Sequence, residues 1–229
     1  MLTERQKQIF EIIENKKRVS VAYLAKKVYV CEMTIRRDLK ALEANGYIQR
    51  YHGGAVIREE YSSTSLDLRM HMNEKEKKII ASKAKEYIKD GQTIFLNNSS
   101  TCAYIIPCLK HYKNITVVTN SVQFTMMLSK IHVKCILAGG EYDEVEHCLL
   151  GRNTENFLRT VNTDIAFVTC SGISEDGRVT EIDEASAEIT RIGIQNTKKA
   201  ILLSDSSKLG LVFTYTVCKL NDVSDVIII

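Results

Sequence analysis

The chain has 229 residues, of which 45% are hydrophobic and 26% charged, a composition typical of a globular protein that excludes a disordered or fibrous chain. No apolar run approaches the roughly 18 residues that cross a bilayer, and the N-terminus lacks the basic and apolar regions of a secretion signal, so we expect a soluble, cytoplasmic protein. The net charge is only +3, but residues 1–58 carry 12 basic against 6 acidic residues while the rest carries 19 against 22, which indicates a polyanionic partner for the first segment.

Residues 1–58 begin with two predicted helices. Thr3 and Gln6 have the spacing of a capping box, which predicts a helix that ends near Asn15. Ser20 is the predicted N-cap of a second, shorter helix. The turn 29–31 then leads into a third helix, so that two helices joined by a tight turn form a helix-turn-helix.

The third predicted helix, 32–44, has an apolar face and a basic face, and Asn45–Gly46 is its predicted stop. Ile35, Leu39 and Leu42 lie within about 60° of one another on a helical wheel and form the buried stripe. The opposite side carries Met33, Arg37, Lys40 and Ala44, flanked by Thr34 and Arg36.

A hairpin follows the third helix, because the segment GYIQRYHGGAVI predicts two strands around the turn 52–54. This hairpin is a wing whose side chains can meet the sugar-phosphate backbone, while the N-terminal residues of a helix in the major groove reach base edges. The alternative is a small helical bundle with solvated arginines, and the wing favours DNA binding. The predicted DNA-binding residues are Ser20, Met33, Thr34, Arg36, Arg37, Lys40, Arg50 and His52.

Residues 19–56 resemble the N-terminal domain of the DeoR family of bacterial regulators, whose hallmark T-[IV]-R-R-D-L stands here at 34–39 and is followed by the family's G-G-A wing at 53–55. One departure is Cys31, where the family has a serine that caps the recognition helix. A thiol accepts hydrogen bonds poorly, so we expect a cap weaker by a fraction of about 1 kcal/mol.

The second half alternates short apolar runs with helical segments. Residues 59–73 lack clear periodicity and are the predicted linker between domain 1–58 and domain 74–229. Six β-branched runs then predict strands, and helices are expected at 73–89, where Asn73 and Glu76 form a capping-box-like start, and at 101–109, 122–130 and 184–196. Buried strands that alternate with helices form a parallel sheet, so the predicted fold class is α/β, with a small winged helix-turn-helix domain followed by a doubly wound, mainly parallel-sheet sensor domain.

Polar loops follow the predicted strands, where open α/β sheets bind ligands. The run Ser99-Ser100-Thr101 joins a strand to a helix and can bind an anion through hydroxyls and backbone N–H groups, or can serve as an ordinary N-cap. Lys208 can add a positive charge.

The resemblance to DeoR-family regulators extends over these loops, and it implies a sensor domain similar to sugar-phosphate isomerases of the ribose-5-phosphate isomerase type that binds a phosphorylated sugar or related metabolite. The implied effector-binding residues are Asn97, Asn98, Ser99, Ser100, Thr101, Asn120, Gly139, Gly140, Glu141, Ser171, Gly172, Glu184, Asp205 and Lys208. Four positions depart from the family pattern: Asn97 replaces an aspartate, Ser99 a glycine and Ser171 an acidic residue, and Thr190 stands beside Arg191 where a basic pair is common. Family members also continue with a short segment beyond the position of Ile229.

Three hypotheses for the second domain are a sensor, an isomerase and an oligomerisation scaffold. An isomerase needs a paired acid and base, and the loss of acidic residues at Asn97 and Ser171 argues against it although Asp205, Glu141 and Glu184 remain. A scaffold leaves the polar loops unexplained. We therefore expect no catalytic residues and a DNA-binding repressor of sugar or related carbon metabolism that forms a homodimer or homotetramer, since helix-turn-helix proteins bind paired sites.

Cysteines and histidines give no sign of a metal site or cofactor. The seven cysteines form no C-x-x-C pair and lie mostly in apolar runs, so they are predicted to be reduced core residues. The five histidines have no ligand spacing to one another or to the cysteines.

Overall fold

The computed structural model describes residues 2–44, 47–57 and 66–229. The chain divides into two compact units, Met1–Met72 and Asn73–Ile229. Within the described ranges, every helix is too short or too polar to cross a lipid bilayer.

The N-terminal unit has the predicted three helices and wing. Its described helices are α1 (Glu4–Lys16), α2 (Val21–Val28), α3 (Glu32–Ala44) and α4 (Leu66–His71), and its strands are β1 (Arg18–Ser20), β2 (Ile48–Tyr51) and β3 (Gly54–Ile57). The strands form an antiparallel sheet in the order β1-β3-β2. The sequence pattern does not predict β1, because three residues between two helices are too few to show a period.

Side-chain caps begin the first two helices as predicted. The hydroxyl of Thr3 accepts the Gln6 N–H at 3.3 Å, and the Gln6 side chain accepts the Thr3 N–H at 3.0 Å. The Ser20 hydroxyl accepts the N–H of Tyr23 at 3.2 Å and so begins α2. The apolar faces of α1, α2 and α3 then meet in one core, which includes Ile9, Phe10, Ile13, Leu24, Ile35, Leu39 and Leu42.

The structure differs from the predicted linker 59–73 in residues 66–71, which form α4. Leu66, at the start of this helix, is fully buried. Residues 58–65 lie outside the described residues, as does the predicted helix stop Asn45–Gly46. The boundary between the two compact units falls after Met72.

The C-terminal unit is built on a six-stranded parallel sheet that confirms the predicted strands. These are β4 (Thr93–Leu96), β5 (Thr116–Thr119), β6 (Lys134–Leu137), β9 (Ile165–Val168), β12 (Ala200–Ser204) and β14 (Asp225–Ile228), in the order β14-β12-β9-β4-β5-β6. The chain starts at β4, runs outward through β5 and β6, and then returns to β9 on the other side of β4. The order of the strands therefore reverses between β4 and β9, the position at which doubly wound sheets bind ligands.

Smaller antiparallel pieces complete this unit and were not predicted. One is the hairpin of β7 (Glu141–Asp143) and β8 (Cys148–Leu150), and the other is the sheet of β10 (Gly172–Ile173), β11 (Arg178–Glu181) and β13 (Tyr215–Lys219). The Asp176–Gly177 pair at the β10–β11 turn is a strong hairpin signal that could have indicated the second piece.

The helices of the C-terminal unit are α5 (Glu74–Ala84), α6 (Ser100–Ala103), α7 (Val122–Lys130), α8 (Arg152–Arg159) and α9 (Glu184–Gln195). The predicted helix 101–109 is instead α6 followed by a 3-10 helix, Ile106–His111, because Pro107 has no N–H to continue an α-helix. The predicted cap at Asn73 is also wrong. This residue adopts a left-handed conformation without a side-chain cap, and its amide donates to Asp205 at 3.4 Å.

Candidate functional site

The exposed face of α3 is the first candidate site. Ile35, Leu39 and Leu42 are buried as predicted, which turns Met33, Arg37 and Lys40 outward. Helix α3 therefore presents two cations and a thioether to solvent on the face that the sequence pattern predicts.

The two arginines of α3 differ in their surroundings. Arg36 donates to the carboxylate of Glu32 at 3.0 Å, one turn earlier on the same helix. The side chain of Arg37 has no ion pair or hydrogen bond within residues 2–44 and 47–57. Arg37 can bind an external anion without first breaking an internal contact.

Asp38 anchors α3 and was not among the predicted site residues. It is 2% exposed, and its carboxylate accepts hydrogen bonds from Arg5 Nε at 2.6 Å and from the Gln6 amide at 3.4 Å. Both donors belong to α1, so this acid joins α1 to α3. The signal in the sequence is an acid that lies three residues after Ile35 and four before Leu42, within the buried stripe.

The wing contacts α3 through an ion pair. The Arg50 backbone N–H and side chain donate to the two carboxylate oxygens of Glu43 at 2.9 and 2.6 Å, and these hydrogen bonds lower the pKa of Glu43. Arg50 is thus engaged within the protein, whereas His52 at the turn is exposed. That Arg50 contacts DNA stays a prediction, and such a contact would compete with the ion pair to Glu43.

The start of α3 has an exposed thiol. The Cys31 sulfur lies 3.3 Å from the hydroxyl of Thr34, and contacts with the hydroxyl and backbone N–H of that residue lower the pKa of the thiol. The prediction that the cysteines are core residues is wrong for Cys31, which is exposed, although all seven are free. At the other predicted position in this region, Ser20, the hydroxyl serves as the cap of α2.

The second candidate site is the edge formed by the carboxyl ends of the parallel strands. Most of the predicted effector residues follow these strands: Asn97, Asn98, Ser99, Ser100 and Thr101 follow β4, Asn120 follows β5, Gly139 and Gly140 follow β6, Ser171 and Gly172 follow β9, and Asp205 and Lys208 follow β12. Glu141 and Glu184 are exposed at the starts of β7 and α9, and the described contacts do not join them to this group.

Asn97 holds the sheet together at the point of reversal. Its oxygen accepts the backbone N–H of Thr169 at 3.2 Å, and its amide donates to the Thr169 carbonyl at 3.3 Å and to the Thr190 hydroxyl at 3.1 Å. Asn97 and Thr190 are two of the four positions that depart from the family pattern, and here they contact each other. A neutral hydrogen bond therefore stands where the family pattern has an acid and a base.

The loop after β4 has hydroxyl groups that remain available. Ser99 caps α6 by accepting the Cys102 N–H at 3.0 Å. The hydroxyls of Ser100 and Thr101 form no hydrogen bond within residues 66–229, although both residues are largely buried. Because α6 has only four residues, its dipole is weak, and hydroxyls and backbone N–H groups are the donors that the loop offers.

Lys208 and Glu181 bring opposite charges to the other side of the edge. The Lys208 ammonium donates to the carbonyl of Cys170, and the hydroxyl of Ser171 donates to the carboxylate of Glu181. Burial raises the pKa of Glu181, while the Ser171 hydrogen bond and the charge of Lys208 oppose this shift. Glu181 was not a predicted site residue, because its strand β11 was not predicted.

Two amide oxygens at this edge are buried without a hydrogen-bond partner. The Asn98 amide donates to the carbonyl of Glu146 at 3.0 Å, and the Asn120 amide donates to that of Leu149 at 3.0 Å, so both dock on the β7–β8 hairpin. In residues 66–229 the Oδ1 atoms of Asn98 and Asn120 accept no hydrogen bond, and Asn120 is 2% exposed. Such acceptors favour a ligand with hydroxyl donors.

Packing accounts for two of the predicted glycines. A Cβ at Gly140 would lie 1.9 Å from the Thr154 hydroxyl, and one at Gly172 would lie 2.5 Å from the carbonyl of Leu211. Asp205 also has an internal role, since its carboxylate accepts the backbone N–H of Ser207 at 3.1 Å. No group of histidine, cysteine and acidic residues within the described part of the chain could hold a metal ion.

Comparisons with known proteins match both units. Residues 5–61 match the family described as the DeoR-like helix-turn-helix domain, and residues 72–228 match the DeoR C-terminal sensor domain. The glycerol-3-phosphate regulon repressor of Escherichia coli is 31% identical over 91% of this chain and 83% of its own length. The L-fucose operon activator of Haemophilus influenzae is 33% identical over 89% of this chain and 82% of its own length.

A solved structure shows the same sheet architecture. The delta subunit of eIF2B from Chaetomium thermophilum superposes with a TM-score of 0.52 and 16% identity, covering 71% of this chain and 57% of that chain. This likeness concerns the fold alone. The two relatives in sequence are named as regulators of transcription.

Proposed function

Because this chain belongs to the DeoR family of transcriptional regulators, we propose that it represses genes of sugar or related carbon metabolism and that a phosphorylated sugar-type metabolite modulates its binding to operator DNA. The observation that carries the DNA part is the exposed basic face of α3, on which Arg37 has no internal partner in the described N-terminal residues. Thr34, Arg36, Arg37 and Lys40 are proposed to contact bases or phosphates, with His52 of the wing on the backbone.

The effector is proposed to bind at the carboxyl edge of the sheet. The Ser100 and Thr101 hydroxyls and the Lys208 ammonium are the donors that suit a phosphate, and Asn98 and Asn120 offer acceptors to sugar hydroxyls. The shortness of α6 leaves hydroxyls and Lys208, rather than a helix dipole, as the main support for the anion. Donor groups of the protein thus suit the phosphate of the effector, and acceptor groups suit its hydroxyls.

Repression is proposed on the similarity to the glycerol-3-phosphate regulon repressor, and because the L-fucose operon activator is equally similar, a reporter experiment decides between the two modes. The protein is proposed to act as a homodimer or homotetramer, since a helix-turn-helix binds one of two paired sites. A reporter gene behind the promoter that the protein binds separates the two modes, because deletion of a repressor raises expression and deletion of an activator lowers it.

The DNA part is tested by selecting duplexes from a random-sequence library with the purified full chain and titrating the winner. Enrichment of one sequence motif supports sequence-specific binding. Binding without any sequence preference would contradict it.

The effector part is tested by a thermal-shift screen of phosphorylated sugars and polyols against inorganic phosphate. A ligand at 100 times its Kd adds about 2.7 kcal/mol to the free energy of unfolding. For the compound found, Ser100→Ala with Lys208→Ala should raise the concentration that changes DNA binding by about tenfold or more, while DNA affinity without the compound stays unchanged. An unaltered response of the double variant would place the effector elsewhere.

A further inference from the structure

The turn between α2 and α3 exposes an aromatic ring that contributes nothing to the core. Tyr29 is 92% exposed and Met33 is 77% exposed, the two highest values among the large hydrophobic residues that the structure describes. The Tyr29 side chain forms no hydrogen bond or ring contact within residues 2–44 and 47–57. Burial therefore gives no reason for an aromatic residue at this position.

The backbone of Tyr29 is a second cost to the fold. Its φ of 56° and ψ of 42° are left-handed, and its N–H donates to the Ala25 carbonyl to end α2. Glycine adopts this conformation readily, and bulky residues do not. The other described residues with positive φ are glycine, lysine, asparagine or histidine. A strained and exposed aromatic residue is evidence of a role outside folding.

The charges around Tyr29 indicate what it contacts. Lys26 and Lys27 are exposed in the last turn of α2, and Arg37 is exposed one turn after Met33. If a second copy of the chain packed against this surface through the same residues, these cations would face one another and repel. A DNA duplex offers phosphates to the cations together with apolar surface, namely the thymine methyl groups in the major groove and the deoxyribose rings.

We propose that Tyr29, together with Met33, makes an apolar contact with operator DNA that adds affinity and a preference for thymine to the basic contacts of α3. The Tyr29 ring packs against the sugar-phosphate backbone at the entry of α3 into the major groove, and Met33 contacts a thymine methyl group. This inference rests on the proposed function, because it requires α3 to be the helix that meets the bases.

The test uses the full chain and the duplex that it selects from a random library. Tyr29→Gly removes the ring and relieves the backbone, so its melting temperature should equal or exceed that of the parent. Its affinity for the duplex should nevertheless fall by about fivefold or more. Between about 50 and 200 mM salt the dependence of affinity on salt should match the parent, since no phosphate-binding cation is lost.

Controls separate this effect from general damage. Tyr29→Asn also suits the left-handed backbone, and it should weaken binding in the same way. Met126→Ala removes another exposed methionine, 62% exposed, from the other unit and should bind DNA like the parent. Replacing each thymine of the duplex in turn by uracil removes one methyl group, and one replacement should weaken the parent but leave Met33→Ala unaffected.

Three results would overturn the inference. Tyr29→Gly and Tyr29→Asn could bind within about twofold of the parent, or every uracil duplex could bind the parent as well as thymine does. A loss of affinity that accompanies a changed sedimentation coefficient without DNA would instead assign Tyr29 to self-association. Loss of affinity in Arg37→Ala but not at Tyr29 overturns this inference alone, whereas no effect of either and no selected duplex overturns the proposed function as well.

Discussion

The two units keep their candidate functional residues in opposite states. On α3 the residues proposed to bind DNA point outward from a helix whose other face is buried, and the family hallmark T-I-R-R-D-L is intact. At the carboxyl edge of the sheet most of the candidates are buried, several are hydrogen-bonded to other residues of the same unit, and the family pattern has changed at four positions. The residues of the DNA-binding face are therefore positioned by one helix, whereas the residues at the carboxyl edge are positioned by contacts between segments that are distant in the sequence.

The largest expected effect concerns the neutral pair at the sheet reversal. Asn97→Asp places a carboxylate against the Thr169 carbonyl and removes the amide donor to Thr190, so it should lower the free energy of unfolding by about 2–3 kcal/mol. Urea unfolding measures this change. Adding Thr190→Lys to the variant should restore most of the loss, because the new acid then has a cationic partner.

The matched control for this pair is Asn98→Asp, the same substitution at the neighbouring, less buried residue. It removes the hydrogen bond that the Asn98 amide donates to the Glu146 carbonyl and should lower the free energy of unfolding by about 1 kcal/mol, and adding Thr190→Lys should not restore this loss. Equal losses at the two positions would mean that Asn97 has no special role in the sheet.

The next effect sharpens the contrast on the DNA side. Arg37→Ala should weaken binding to the selected duplex by about 1–3 kcal/mol, while Arg36→Ala should weaken it less because Arg36 pairs with Glu32. Thermal melting curves should show that both variants are folded. A greater loss for Arg36 would show that internal pairing does not limit what an arginine offers to DNA.

A smaller effect on the free energy of unfolding is expected from pH, through Glu181 at the carboxyl edge of the sheet. Burial raises the pKa of Glu181 above its ordinary value of 4.5, so the folded state favours the protonated acid. The stability from this group is complete below that value and is lost as the pH rises through the raised pKa, with a slope of at most about 1.4 kcal/mol per pH unit. Denaturant unfolding from pH 4 to 8 should show a shallower decline for Glu181→Gln, and parallel profiles would contradict the assignment.

The smallest effect is expected at the start of α3. Cys31→Ser exchanges a weak acceptor for a good one and should raise the free energy of unfolding by about 0.5 kcal/mol or less. The midpoint of urea unfolding measures it, and Ser20→Ala, which removes a working cap, should shift that midpoint in the opposite direction. An unchanged or lower midpoint for Cys31→Ser would show that the thiol caps at least as well as a hydroxyl does.

Sequence patterns predict the framework of both units well. The four inner strands β4, β5, β9 and β12 are largely buried apolar runs, and the edge strands β6 and β14 keep an apolar composition although they are only partly buried. The composition of each strand therefore identifies it. Helices α1, α2 and α3 combine a cap or turn with an apolar stripe, which gives their limits to within a few residues. The sequence analysis does not predict α8, whose only large apolar residues, Phe157 and Leu158, stand among six polar ones.

The meeting of polar loops at the carboxyl edge of the sheet was predictable, but the contacts that these loops make were not. The ends of β4, β5, β9 and β12 gather the expected polar residues because parallel strands place their carboxyl ends at one edge. The sequence gives no sign that Asn97 and Thr190 are partners, or that Asn98 and Asn120 dock on the β7–β8 hairpin, because these contacts join residues from distant segments. Glu181 was missed because the strand that carries it, β11, was not predicted.

The bond between Asp38 and Arg5 has a consequence for how such a regulator can be switched. Because α1 and α3 are joined by a buried carboxylate, α3 cannot tilt in the groove without breaking that contact or carrying α1 with it. Under the proposed function, a signal that releases DNA would therefore move α1 and α3 together. If two copies bind paired sites as proposed, the signal would change the spacing and helical phase of the two N-terminal units along the DNA. Lengthening the gap between the paired sites by half a helical turn, about 5 base pairs, should then weaken binding as the signal does.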